Sequence, residues 1–185
     1  MNRQVLAFLI LATLGLGAAT AATAQIVNGD FSTGIGGWTP LSTGPTVGWH
    51  PSAGNPGGTA YFYHNGGGNA ELSQTFSCGS AHGNGNCNIT LDYHIFVNGG
   101  AQIQVSVEVD GIAGFTAVHA AEDPAWHTVP LTVPCGDHTL TFKVHTIALP
   151  FLARWDVFLD NVAGECVAVV GDDVQDWGAL KAQYR

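Results

Sequence analysis

Polar side chains alternate with apolar ones in three segments of the chain, and these polar residues are the first candidates for chemistry. The segments read NITLDYHIFV, AQIQVSVEV and HTLTFKVHT, and alternate residues of an extended chain lie on the same side. Planar polar groups hydrogen-bond sugar hydroxyls, and an adjacent aromatic ring covers the apolar face of a sugar. The alternation therefore predicts a carbohydrate-binding surface, formed by Asp92, His94, Phe96, Gln104, Lys143 and His145.

Two other interpretations of this polar set are open. An ordinary solvated face of a β-sheet carries the same residue types. The imidazoles of His94 and His145 are also suitable ligands for a transition metal.

Aromatic residues in Gly- and Pro-rich segments form a second candidate set. Trp49 and Tyr63 are expected either to cover the core or to contact a ligand. In YFYH, alternation buries Phe62 and exposes its two tyrosine neighbours, or the reverse. The sequence contains no H-E-x-x-H, G-x-S-x-G or P-loop motif, and we therefore expect no catalytic activity.

The elements that must position these residues are strands. The segment from Asn88 to Val97 and the segment after the following glycines both alternate, and folding them together brings Ile95 opposite Ile103. Every apolar residue then meets an apolar partner, which predicts a β-hairpin in this register. The HTLTFKVHT segment is expected to join the same sheet. The polar pairs that follow are Asp92 with Ser106, His94 with Gln104, and Thr90 with Glu108.

Short alternating segments divided by Gly, Pro and Asn turns recur along the chain and predict an all-β sandwich or barrel. A length of 185 residues suits a single domain. Only the tail, residues 171–185, differs, because it has an apolar stripe at helical spacing that predicts a short C-terminal helix. This stripe suits docking on the domain itself or on a protein partner, and consists of Val174, Trp177, Leu180 and Tyr184.

Residues 1–24 have the features of a secretory signal peptide. A basic start at Arg3 is followed by an apolar run that is too short to span a bilayer, and then by Ala22-Thr23-Ala24. We therefore expect a secreted protein, extracellular or periplasmic, with no membrane span. Without this segment the chain has four Lys and Arg against 14 Asp and Glu, a formal charge of −10. This charge disfavours a nucleic-acid partner, because phosphate binding requires clustered cations.

The four cysteines, an even number in an exported chain, predict two disulfides. Cys78 and Cys87 enclose a short loop without an apolar anchor, which favours a bridge between them and leaves Cys135 to pair with Cys166. The alternative is a metal site, although the spacings lack the close C-x-x-C pairs of zinc sites.

Several motifs resemble, in their order, the galactose-binding-like jelly roll found in carbohydrate-binding modules of secreted bacterial enzymes. VNGDFSTGIGGWT is similar to its first strand and turn, and AELSQTFSC to a following strand. CNITLDYHI and AWHTVPLTVPCGDHTLTFKV resemble its central strands, and RWDVFLDNV its closing strand. The resemblance runs from Ile26 to about Val167 and implies a jelly-roll β-sandwich over residues 25–170, which the helix predicted from the spacing of the tail would follow.

The same resemblance implies a structural calcium ion between the first and last strands. Its ligands would be backbone oxygens near Gly29 to Phe31, with Asp30 nearby, and the side chains of Asp160 and Asn161. The chain departs from the family pattern at Ser32, where Glu is frequent, and at Asn161, where Asp is frequent. Calcium prefers several hard oxygens, including carboxylates.

The function expected from residues and resemblance together is non-catalytic binding of a poly- or oligosaccharide by a secreted, lectin-like module. Two alternatives are kept. One is a structural or adhesive protein of the cell surface or matrix that binds a protein partner. The other is an unrecognised polysaccharide hydrolase.

Overall fold

A computed structural model describes residues 25–64, 66–79 and 85–168. The predicted signal peptide and C-terminal helix lie outside these ranges and stay predictions. Within the described residues all regular structure is β, and no helix there has the length and apolarity needed to cross a bilayer. The strands there are β1 Thr39–Ser42, β2 Thr46–Gly54, β3 Gly57–Tyr63, β4 Asn69–Cys78, β5 Gly85–Asn98, β6 Gln102–Val109, β7 Ile112–His119, β8 Asp123–Pro134, β9 Gly136–Ala148 and β10 Arg154–Ala168.

These strands form two antiparallel sheets of five strands each. Sheet I has the order β1-β4-β9-β6-β7, and sheet II has the order β2-β3-β10-β5-β8. Strands that are neighbours in space are mostly distant in sequence, as in jelly rolls. The predicted all-β sandwich is therefore confirmed.

The core lies between the two sheets and is built from alternate residues of each strand. Phe62 of sheet II and Phe142 of sheet I contact across it, with ring centroids 5.2 Å apart. Trp155 and Ile95 of sheet II and Ile103 of sheet I are also fully buried. Burying each such side chain stabilises the fold by about 1.5–3 kcal/mol.

The predicted hairpin between β5 and β6 is wrong, because the two strands belong to opposite sheets. β5 pairs with β10 and β8, and β6 pairs with β7 and β9. The apolar faces that matched so well in sequence are instead buried in the core that the two sheets share, as Ile95 and Ile103 are. The HTLTFKVHT segment, β9, joins the sheet of β6 as predicted but not that of β5, and its register with β6 places Gln104 opposite His145.

The segment before β1 forms turns rather than a strand. Phe31 is fully buried, and Trp38 packs against it with ring centroids 5.4 Å apart. The Trp38 indole N–H donates to the carbonyl of Val27 over 3.1 Å. Gly29 accepts a hydrogen bond from the Val162 N–H over 2.9 Å, which ties this segment to β10.

The predicted disulfide pairing is also wrong. Cys78 of β4 is bonded to Cys166 of β10, so the bridge links sheet I to sheet II. The sulfur of Cys87 lies within 4.8 Å of both bridged sulfurs. Cys87, which is near Cys78 in sequence, is therefore also near it in space. The arrangement of the sheets nevertheless brings Cys166, rather than Cys87, into the bond with Cys78.

Candidate functional site

The outer face of sheet II carries a group of aromatic side chains that we call the aromatic face. The register places Phe158 between Tyr61 and His94, and paired residues point to the same side of a sheet. Phe62 and Ile95, which alternate with them, lie in the core, and the rings therefore point away from the core. The aromatic face consists of His50, Tyr61, Tyr63, His94, Phe96, Trp126 and Phe158.

The rings contact one another in a row across strands β3, β10, β5 and β8. The Tyr61 ring stacks on those of Tyr63 and Phe158, with centroids 5.0 and 4.9 Å away. His94 continues the row at 5.5 Å from Phe158 and 5.6 Å from Trp126. All five side chains are partly exposed. Mutual stacking fixes their orientation, so the row forms a rigid apolar platform with one side open to solvent.

His94 contributes to this platform as a neutral ring. Burial lowers the pKa of His94, and the charges of Asp123 and Glu122 oppose that effect only in part. At neutral pH the imidazole therefore carries one donor and one acceptor nitrogen. It can stack like the other rings and also hydrogen-bond a hydroxyl group.

A polar cluster borders the platform beside Tyr63. The hydroxyl of Tyr61 donates to the carboxylate of Asp156 over 2.8 Å. The Arg154 guanidinium donates to the same carboxylate over 2.9 and 2.7 Å and lies 6.0 Å from the Phe96 ring. Burial, followed by the hydrogen bond with Asp156, raises the pKa of Tyr61 to about 12. The phenol thus stays protonated, and the exposed side of Arg154 retains donors for a ligand.

A second polar cluster lies at the opposite border of the platform. Asp92 accepts hydrogen bonds from the Thr128 hydroxyl over 2.6 Å and from the Asn161 amide over 3.0 Å. The backbone N–H of Asn55, in the β2–β3 turn, donates to Asp160 over 2.5 Å. That turn covers Asp160, which is fully buried.

The charges around Asp160 suit a cation. Burial raises the pKa of Asp160, and the charges of Asp92 and Asp30 raise it further. Among the described residues, no Lys, Arg or His side chain forms an ion pair with Asp160. The oxygens of Asp30, Asp160 and Asn161 are hard donors of the type that calcium takes. Both Asp160 oxygens already accept backbone hydrogen bonds, from Asn55 and Asn161, so the calcium ion stays a prediction from the family resemblance.

The outer face of sheet I, where the remaining predicted residues lie, has a different character. Lys143 pairs with Glu108 at 2.8 Å and with Glu71 at 3.6 Å. His145 contacts the Asn69 amide oxygen over 2.5 Å, and Gln104 lies opposite it. Ser and Thr occupy much of the rest of this face in β4, β6 and β9. Lys143 and His145 are thus paired with other polar groups of the same face, which favours the alternative interpretation of an ordinary solvated sheet face.

The predicted carbohydrate-binding set is therefore divided between the two outer faces. Asp92, His94, Phe96 and Tyr63 lie on sheet II, whereas Gln104, Lys143 and His145 lie on sheet I. Trp49 lies apart from both, because its register partner Ala60 is a core residue. Its indole N–H donates to the Phe31 carbonyl over 2.7 Å.

Several residues of the aromatic face and of the polar cluster beside Tyr63 were missed in the sequence. Phe158 and Asp156 alternate with the core residues Trp155 and Val157 in RWDVFLD, which was a signal that they share an outer face. Of the two alternatives predicted for YFY, the structure has the first, with Phe62 buried and Tyr61 on the outer face. The other missed residues are His50, Trp126 and Arg154.

No protein-family model and no curated protein matches the chain, whereas solved structures do. A cleaved adhesin domain of Lys-gingipain from Porphyromonas gingivalis has a TM-score of 0.57 at 16% identity, covering 78% of this chain and 98% of that domain. Xylanase 10B of Clostridium thermocellum, with CBM22-1 and GH10 modules and complexed with xylohexaose, has a TM-score of 0.51 at 13% identity, covering 74% and 27%. The enzymatically active domain of bacteriophage CBA120 tailspike protein 4 has a TM-score of 0.51 at 14% identity, covering 80% and 21%.

The extent of each match differs. The chain spans nearly the whole adhesin domain but only 27% of the xylanase chain and 21% of the tailspike chain. At such low identity the shared property is the fold, since one fold carries many functions. The chain therefore has a jelly-roll β-sandwich fold like that of the adhesin domain and of the xylanase chain that contains the carbohydrate-binding module.

Proposed function

We propose that the protein is a secreted, non-catalytic module that binds a carbohydrate chain on the aromatic face. The observation that carries this proposal is the continuous row of partly exposed rings from Tyr63 to Trp126, bordered on both sides by hydrogen-bonding groups. Apolar sugar faces stack on such rings while hydroxyls meet polar groups at the borders. The row crosses four strands spaced about 4.8 Å apart, which gives it the length for a short oligosaccharide.

The charge distribution favours a neutral sugar. Arg154 is already paired with Asp156, and the two oxygens of Asp92 already accept hydrogen bonds. The whole chain has a formal charge of −9, which repels anionic polysaccharides. Because the xylanase structure of similar fold is complexed with xylohexaose, neutral xylo-oligosaccharides are the first ligands to test.

Two further assignments belong to this proposal. Export by the predicted signal peptide would place the module outside the cytoplasm, where a disulfide such as Cys78–Cys166 persists. Calcium held by Asp30, Asp160 and Asn161 would neutralise the surplus negative charge there and stabilise the contact between the first segment and β10. Its role would be structural.

A second candidate function is adhesion to a protein. The specific observation in its favour is the match to 98% of an adhesin domain. The β9–β10 loop also exposes Phe151 and Leu152 at 92% and 84%, and exposed apolar residues occur at protein contacts. Under this alternative the loop, rather than the platform, carries binding.

A glycan array, followed by calorimetry with the best glycan, tests the proposal. Trp126→Ala and Phe158→Ala each remove a ring of the platform and are expected to weaken binding roughly tenfold or more, about 1.4 kcal/mol. His145→Ala, on the outer face of sheet I, is the matched control and should bind like the wild type. Binding that survives both ring substitutions, or an array without any bound glycan, would reject the proposal.

A further inference from the structure

Four cysteines from three separate regions of the sequence converge at one end of the sandwich. Cys87 of β5 pairs directly with Cys166 of β10, and the bridge to Cys78 brings in β4 of the other sheet. Cys135 lies in the connection between β8 and β9. Its backbone N–H donates to the carbonyl of Gly85 over 2.9 Å, two positions from Cys87.

The two unbonded cysteines lie on the same side of sheet II. β5 and β8 pair Cys87 with Val133, and the hydrogen bond between Cys135 and Gly85 continues this register by two residues. Alternate residues share a face, so Cys87 and Cys135 are diagonal neighbours. Cys87 is fully buried, and Cys135 packs against the core. Diagonal neighbours lie slightly farther apart than a disulfide spans, so bond formation requires the one-residue connection at Cys135, between β8 and β9, to shift toward β5.

We propose that Cys87 and Cys135 form a second disulfide beside Cys78–Cys166. The two thiols lose two protons and two electrons, and one sulfur–sulfur bond forms. The oxidant is a disulfide-containing thiol oxidant, such as a protein disulfide of the export compartment or oxidised glutathione, and its own disulfide is reduced to two thiols. The bridge would tie β5 to the connection through which the chain passes from sheet II to sheet I.

The position of Cys87 supports this pairing. Its sulfur lies within 4.8 Å of both sulfurs of the existing bridge, and a thiolate that close can attack the bridge and rearrange it. Burial, together with the charge of Cys135, raises the pKa of Cys87 to about 11, which slows this attack. A bond to Cys135 removes the Cys87 thiol altogether, so that it can no longer attack the Cys78–Cys166 bridge.

The sequence offers a convenient test by disulfide mapping. Trypsin has no cleavage site between Gln25 and Lys143, but hydroxylamine cleaves Asn–Gly bonds, which occur after residues 28, 65, 84 and 98. Full-length protein exported to an oxidising compartment is treated with N-ethylmaleimide in denaturant, then with hydroxylamine and trypsin. Each cysteine then lies on its own fragment, namely 66–84, 85–98, 99–143 and 155–181.

The expected result is fragment 66–84 joined to 155–181, fragment 85–98 joined to 99–143, and no maleimide on any cysteine. Maleimide on both Cys87 and Cys135, or a link between fragments 66–84 and 85–98, would overturn the proposal. So would about one zinc ion per chain by elemental analysis with four thiols released on chelation, since a tetrathiolate site is the competing use of such a cluster.

Matched variants provide a second readout. Cys87→Ser and Cys135→Ser should each leave one reactive thiol, on the partner cysteine, and the double variant should leave none. All three variants should lower the Tm by a similar amount, about 10 °C, because each loses the same bridge. A single variant that releases no thiol on the partner would contradict the pairing. The mapping does not depend on glycan binding, so this inference and the proposed function fail independently.

Discussion

At the residue scale, Tyr61 has two separable roles in the aromatic face. Its ring stacks between Tyr63 and Phe158, and its hydroxyl donates to Asp156. The first role presents an apolar surface, whereas the second anchors the carboxylate that holds Arg154. Removal of the hydroxyl alone therefore separates the stacking role of the ring from the hydrogen bond that holds Asp156.

Tyr61→Phe is expected to keep glycan affinity within about threefold of the wild type, because the ring and its stacking remain. Stability should fall by about 1 kcal/mol, since a mostly buried carboxylate loses one hydrogen bond. Calorimetry and urea unfolding measure the two effects. A tenfold loss of affinity would show instead that the hydroxyl contacts the ligand.

His138 makes stability depend on pH at a site distant from the aromatic face. Its two ring nitrogens contact a carboxylate oxygen of Asp110 at 2.7 Å and the carbonyl of Pro134 at 2.8 Å. Both partner oxygens are hydrogen-bond acceptors, so only the doubly protonated imidazolium can donate to both of them. The hydrogen bond with Asp110 is the main cause that raises the pKa of His138, and the charge of Asp137 adds to it.

A raised folded-state pKa contributes stability that is fully present below the unfolded pKa of about 6.5 and is lost as pH rises through the folded value. His138→Gln should therefore cost more stability at pH 5.5 than at pH 8.5, by less than about 1 kcal/mol because the pair is near the surface. Denaturant unfolding of both proteins at both pH values measures the difference. The pH-dependent contributions of His94 and His119 to stability are the same in both proteins and cancel in this comparison. An equal cost of the substitution at both pH values would refute the role of His138.

At the scale of elements, the β2–β3 turn determines where the platform ends. The Asn55 N–H and the carbonyl of Asn55 bind Asp160 and Asn161 of β10, so the turn lies over the outer face of sheet II. Gly54 enables this close approach, since a Cβ there would overlap the Gly58 carbonyl and approach Asp160 Oδ2 to 2.7 Å. Gly48, on the same strand, has open space at the Cβ position.

Gly54→Ala should therefore lower the free energy of unfolding by about 1–3 kcal/mol, because the turn must shift to admit the methyl group. Gly48→Ala is the matched control and should change stability by no more than about 0.5 kcal/mol. Thermal and urea unfolding of the two variants provide the measurement. Equal effects would show that the close approach of the turn to β10 does not constrain it.

At the scale of the whole molecule, the two sheets are joined by the core, by the Cys78–Cys166 bridge and by contacts of the first segment with β10. The last of these contacts lies beside Asp160, whose surplus charge is the reason to propose calcium there. A bound ion would therefore stabilise the sandwich as a unit rather than one loop.

If calcium binds there, a chelator should lower the Tm of the wild type by several degrees and leave the Tm of Asp160→Ala unchanged, because ligands that bind only the folded state stabilise it. Differential scanning calorimetry with and without chelator measures both. Magnesium in excess is the control for general ionic effects. A wild-type Tm that does not respond to the chelator would remove calcium from the proposal.

Alternation in the sequence determined the inner and outer side of most strands. The split of RWDVFLD into buried Trp155 and Val157 and outer Asp156 and Phe158 follows from a period of two residues alone. The order of motifs also sufficed for the jelly-roll class. Alternation is a local property and the order of motifs is a property of the linear chain, so the sequence contains the information for both.

Only the tertiary structure decided which strands share a sheet. β5 and β6 match each other equally well as hairpin partners or as facing strands, because both arrangements bring Ile95 and Ile103 into one core. Backbone hydrogen bonds between strands distant in sequence selected the second arrangement. The same selection separated His94 from Gln104, assembled the aromatic face across β3, β10, β5 and β8, and placed Cys166 rather than Cys87 in the bridge to Cys78.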